Sequence, residues 1–97
     1  MSDMPAAQGR VINLDVGAPQ SDAAVHAAIK AAIGRTYTAG WYGLVWCLEE
    51  YPTPVTINVV GLDLFRARSP IQAKMFSIAM RDVVELRGGA GFVVHFA

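Results

Sequence analysis

Few side chains in this sequence are of types that do covalent chemistry. Cys47 is the lone cysteine, and His26 and His95 are the two histidines. A thiol held beside an imidazole makes an activated nucleophile, but nothing in the spacing of Cys47 and His95 brings them together. Cys47 reads instead as a small core residue on a helix face, His95 as a residue near a strand end, and His26 as a solvent-facing helix position. Gly88-Gly89-Ala90-Gly91 is glycine-rich, yet it follows a helix and precedes a strand. Phosphate-cradling loops run the other way, from strand into helix N-terminus, so this segment is a turn. Asp63, Asp82 and Glu85 lack metal-ligand spacing and read as solvated surface. The expectation is a chain that is not an enzyme, with no catalytic residue, no metal and no cofactor.

The chemistry that remains is recognition. From Ala39 to Glu50 the sequence reads as a helix started by Thr38. At helical spacing Trp41, Leu44, Cys47 and Leu48 share one face, which is enough to bury it. Tyr42, Val45, Trp46 and Glu49 share another, and a helix that covers a small sheet is ordinarily polar there. Tyr37 sits in the link before it. Trp and Tyr are the residues that anchor protein interfaces. Two readings stand: the aromatics fill core beneath long loops, or they form a binding face.

Other elements must position that helix. Val11 to Val16 is β-branched and partly alternating, as strands are. Ser21 or Asp22 caps an alanine-rich helix over Ala23 to Ile33, where Val25, Ile29 and Ile33 recur every four residues, and Gly34 stands at its C-cap. Pro52 and Pro54 end the second helix. Val55 to Val60 is the clearest strand, followed by Gly61 and a loop carrying Asp63, Phe65, Arg66 and Arg68. Ser69-Pro70 opens a helix to about Arg87, with Gln72, Phe76, Ala79, Val83 and Leu86 inward and Met75 and Met80 at its edges. Phe92 to Phe96 closes the chain as a strand. Strands joined through helices favour a parallel sheet, so the fold class is α/β: a two-layer domain with a three-stranded parallel sheet and three to four helices. Residues 1 to 9 read as a flexible tail and residues 10 to 97 as one domain.

Composition excludes several classes. Eight basic and eight acidic residues cancel, and 16% of the chain is charged, whereas binding through phosphate neutralisation needs a basic excess. With 54% hydrophobic residues and a mean hydropathy of +0.35, the balance is the reverse of a disordered chain. The apolar runs fall far short of the length a membrane span needs. One cysteine supports no internal disulfide, and the opening residues lack a secretory layout. No direct contact with nucleic acid or membrane is expected, and the cytoplasm is the expected location.

The order and motifs of these segments resemble the barstar family of intracellular ribonuclease inhibitors. Arg10-Val11-Ile12-Asn13 is similar to that family's opening strand. The family's tyrosine-rich loop and Leu-Trp-Asp-Cys-Leu helix fall on Tyr37 through Leu44-Val45-Trp46-Cys47-Leu48. Tyr51-Pro52 resembles its Tyr-Pro before the middle strand, and Phe76 with Ala79 its Phe-x-x-Ala. The resemblance implies a barstar-like fold and an inhibitor or immunity protein, of the toxin-antitoxin kind, whose loop and second helix plug a partner. Carried over, the family's contact positions fall on Tyr37, Thr38, Gly40, Tyr42, Trp46 and Ile78; Val45 on the same helix face, and Glu49 and Glu50 as the carboxylates left at its end, complete the expected partner-binding residues. The family's two helix aspartates fall on Tyr42 and Trp46, and its last-helix glutamate near Ile78. With the acidic plug replaced, the implied target is a toxin or nuclease other than a typical barnase. The alternative is a self-associating or protein-binding scaffold module, for example a homodimer, using the same aromatic face.

Overall fold

A computed structural model describes residues 9–88 and 91–97. The tail expected over residues 1 to 9 therefore falls almost wholly outside the described residues, as do Gly89 and Ala90 of the expected turn. The chain runs β1 (Arg10–Asp15), α1 (Asp22–Ile33), α2 (Gly40–Glu49), β2 (Val55–Val60), α3 (Leu62–Arg68), α4 (Pro70–Arg87) and β3 (Phe92–Phe96). The strands form one parallel sheet in the order β1-β2-β3, with Ile12 beside Ile57 and Ile57 beside Val94.

Alternation decides which face of the sheet is covered. Ile12, Leu14, Val55, Ile57, Val59 and Phe92 are buried and share the face on which the helices pack. The intervening residues turn the other way, where Val11 is 65% exposed and Asn58 Nδ2 donates to Asn13 Oδ1 (3.1 Å). Parallel sheets are ordinarily covered on both faces; among the described residues this one is covered on one. The result is the two-layer α/β arrangement expected from the element order.

Caps and breakers fix the helix limits. Ser21 is the N-cap of α1 and its side chain accepts from Ala24 N–H, while Gly34 ends the helix in the left-handed region at φ 71°. Distant arginines satisfy the last carbonyls of two helices. Arg10 Nη1 donates to the Ile33 carbonyl (3.0 Å) and also meets the Tyr51 hydroxyl, which itself donates to Ile33. Arg87 Nη1 donates to the Leu48 carbonyl (2.8 Å) near the end of α2. A cation placed there also opposes the negative end of the helix dipole.

Three expectations need correction. The segment after Gly61 is a helix, not a loop: α3 buries Phe65 completely, and Leu62 packs against the same core one turn earlier. The α2 N-cap is Ala39 rather than Thr38, and it makes no side-chain cap bond. Along α4 the buried residues are Ala73, Phe76, Ala79, Met80 and Val83. Leu86, expected inward, is 56% exposed, whereas Met80, expected at an edge, is core. The inward stripe is thus rotated toward Ala73 and Met80, because α4 must meet α3 as well as α2 and the sheet.

Phe76 is the ring on which these elements converge. It meets Trp41 of α2 (5.9 Å between centroids), Phe65 of α3 (6.2 Å) and Phe96 of β3 (6.4 Å). A Phe76→Ala substitution removes three aromatic contacts at once and should cost about 3–5 kcal/mol of stability. Urea unfolding of the two proteins measures the difference.

Candidate recognition face

The link from α1 to α2 is held from below by a polar aromatic cluster. Tyr37 is buried, and a 2.7 Å hydrogen bond joins its hydroxyl to His26 Nδ1. His26 stacks on Trp41 (4.2 Å between centroids), and Trp41 Nε1–H donates to Gln72 Oε1 (2.8 Å). His26 is therefore half-buried, not solvent-facing as its helix position suggests. Burial lowers its pKa below 6.5, Lys30 lowers it further, and Asp22 opposes the shift. Burial likewise pushes the Tyr37 hydroxyl up. Tyr37 so placed positions the loop rather than projecting from it.

Backbone geometry then sets how the loop meets α2. Ala39 sits at φ 65° and ψ 28°, a left-handed conformation that is costly for a residue with a Cβ, and Gly40 follows at φ 60°. This double left-handed step turns the chain into α2 without a capping side chain. Gly43 then packs against the loop, where an added Cβ would stand 1.5 Å from the Thr38 carbonyl oxygen. The close approach requires glycine because nothing larger fits.

On the far side of α2 lie the exposed aromatics. Leu44 and Leu48 are fully buried, whereas Tyr42 is 80% and Trp46 is 69% exposed. Of the two readings of the aromatics, the first holds for Tyr37 and Tyr51, which are core. Tyr42 and Trp46 are not core but solvent-exposed. They flank a groove of about 870 Å³ between the loop and α2, which Tyr37, Thr38 and Glu50 also line. A smaller groove of about 120 Å³ lies between α2 and α4, lined by Tyr42 and Val45 on one side and Ile78 on the other. Of the expected partner-binding residues, only Gly40 and Glu49 line neither groove, although both are exposed.

Other residues at these grooves were not visible as site residues in the sequence. Arg35, Gly43 and Cys47 line the larger one, and Met75 and Asp82 the smaller. Met75, Ile78 and Asp82 recur along one flank of α4; apolar Met75 and Ile78 outside its inward stripe are the signal for that flank, and Asp82 gives none. Burial raises the Cys47 thiol pKa, and Glu50 adds to the shift while Arg35 opposes it, so the thiol is held protonated. His95 points to the uncovered face of the sheet, on the opposite side from α2. Cys47 and His95 are not brought together. Among the described residues no three His, Cys, Asp or Glu side chains are grouped to hold a metal ion, and no helix is long and apolar enough to cross a membrane.

Two glycine–alanine exchanges near the groove should move stability in opposite directions. Ala39→Gly relieves the left-handed strain and should stabilise by about 1 kcal/mol. Gly43→Ala forces the helix off the loop and should destabilise by about 1–3 kcal/mol. Thermal melting of both variants checks the pair of signs.

A pH effect follows from His26. Its pKa is lower in the folded chain than in the unfolded chain, so the unfolded state binds the proton more readily. The stability it supports is fully present above pH 6.5 and is lost as pH falls from there toward the folded pKa. Melts across pH 5–8 should show this loss, and His26→Gln should flatten it. Neither a family model nor a curated protein matches the chain, so the functional reading rests on this face and on the residues that build it.

Proposed function

We propose that this chain is a barstar-like inhibitor or immunity protein that blocks a toxin or nuclease through the α1–α2 loop and α2, with the adjoining flank of α4. The observation that carries the reading is the exposure of Tyr42 and Trp46 on a helix whose opposite face buries Leu44 and Leu48 completely. Leaving two large aromatic rings in water forgoes burial worth about 1.5–3 kcal/mol for a large apolar side chain. Such rings are common anchors in protein interfaces. The rigid elements beneath them support the same reading, because a pre-formed face loses little entropy on binding.

The partner implied is a protein met by aromatic contact. An inhibitor that mimics phosphates presents carboxylates to a basic pocket. Here the positions that resemble those carboxylates are Tyr42 and Trp46, with Ile78 beside Tyr42. Glu49 and Glu50 are exposed at the end of α2 and supply a polar rim. Catalysis, metal and cofactor have no part in this function.

Co-expression with the product of an adjacent toxin-like gene tests the proposal: the chain should protect the cell and co-purify with the toxin. Tyr42→Ala and Trp46→Ala should each weaken the complex by about 2 kcal/mol or more while leaving the melting temperature nearly unchanged. A purified guanyl-specific ribonuclease should be inhibited weakly or not at all. Absence of both protection and complex would sink the proposal, and nanomolar inhibition of that ribonuclease would refute the argument from the replaced carboxylates.

A further inference from the structure

Among the described residues the outer edge of β3 is a second surface left without a partner, and two hydrogen bonds fix its chemistry. Val55 N–H donates to the Gly91 carbonyl (3.0 Å), and Ala97 N–H donates to the Val59 carbonyl (2.9 Å). Alternate residues of a parallel strand bond to the same neighbour. Val93 and His95 therefore turn their main-chain groups toward β2, and Phe92, Val94 and Phe96 turn theirs outward. Among the described residues β3 pairs with β2 alone.

Natural sheet edges are guarded by charge, proline, a bulge or a covering element. At the opposite edge, β1 begins with Arg10 and ends with Asp15, and its flank packs against α1. In β3, Phe92-Val93-Val94-His95-Phe96, there is no Lys, Arg, Asp, Glu or Pro. Val93 is 38% and Phe96 is 44% exposed. Beside the strand runs a groove of about 550 Å³, walled on the α4 side by Ser77, Arg81 and Val84.

We propose that this edge is covered by β3 of a second copy of the chain, antiparallel about a twofold axis through Val94, which joins two three-stranded sheets into one. An open strand edge is completed by another strand, and two features select a second copy. The strand reads nearly alike in both directions: Phe92 falls opposite Phe96 of the other copy, Val93 opposite His95, and Val94 opposite itself. This is the self-complementarity that a twofold interface requires. The strand also carries no formal charge, so no like charges face each other within the pair. Phe92, Val94 and Phe96 offer one donor and one acceptor each, which makes six hydrogen bonds when the two edges meet.

The inference does not depend on the proposed inhibitor role. Met75, Ile78 and Asp82 border α2 on one flank of α4, whereas Ser77, Arg81 and Val84 border β3 on the other. Pairing through β3 leaves Tyr42 and Trp46 free, so a dimer would display two recognition faces.

Sedimentation velocity on the full chain, over a hundredfold dilution from about 500 μM, should show mass falling from near twice 10.4 kDa toward 10.4 kDa. Amide hydrogen exchange followed by NMR should show Phe92, Val94 and Phe96 protected at high concentration and open on dilution. Val94→Pro deletes an outward donor and leaves the β2–β3 bonds in place, so it should abolish the dimer. A monomer at every concentration overturns the inference. So does a dimer in which those three amides exchange freely, or one that Trp46→Asp dissolves and Val94→Pro does not. Should Val94→Pro fail to fold, amide exchange in the unaltered protein decides the matter.

Discussion

Four elements meet at Phe76. Its ring is fully buried within α4 and touches an aromatic side chain from α2, α3 and β3 in turn. Because all helices lie on one face of the sheet, the domain has one interior, and α4 must bind both the sheet and its helical neighbours. A single large ring at the middle of α4 reaches all of them. It sets the position of Trp41, through which the order passes to His26, Gln72 and Tyr37. The α1–α2 loop is thus tied to the centre of the core by a short series of ring contacts and two hydrogen bonds.

Much of this was legible in the sequence. The β-branched run Val55 to Val60 and the four-residue recurrence of Val25, Ile29 and Ile33 are direct signatures of alternation and helical period. What the sequence hid had identifiable causes. α3 is a helix of seven residues, too short for a period to show, and it exists because Phe65 has a core site to fill. The rotation of the α4 stripe reflects a third neighbour that no single-helix pattern contains. Ala39 carries no mark of a cap because its left-handed backbone is imposed by the loop above Gly43, not by its own side chain.

The site divides in the same way. The outward position of Tyr42 and Trp46 follows from helical spacing once Leu44 and Leu48 are known to be inside. Ile78, placed with them only through a resemblance, lines the same small groove as Tyr42 and Val45. The inward position of His26 does not follow, because its polar ring is accommodated only where Tyr37 and Trp41 close over it. Tyr37 looks like a contact residue in the sequence and is a buried support in the fold.

One consequence follows from the way α2 is built. Leu44, Leu48 and Gly43 hold the helix and the loop in place, while Tyr42, Trp46 and Glu49 project from the opposite side and hold up nothing beneath them. Fold and surface chemistry are therefore written in different letters of the same ten-residue segment. The outward letters can be exchanged without refolding the rest. The surface that such a helix presents can be changed by few substitutions while its anchorage in the core stays as it is.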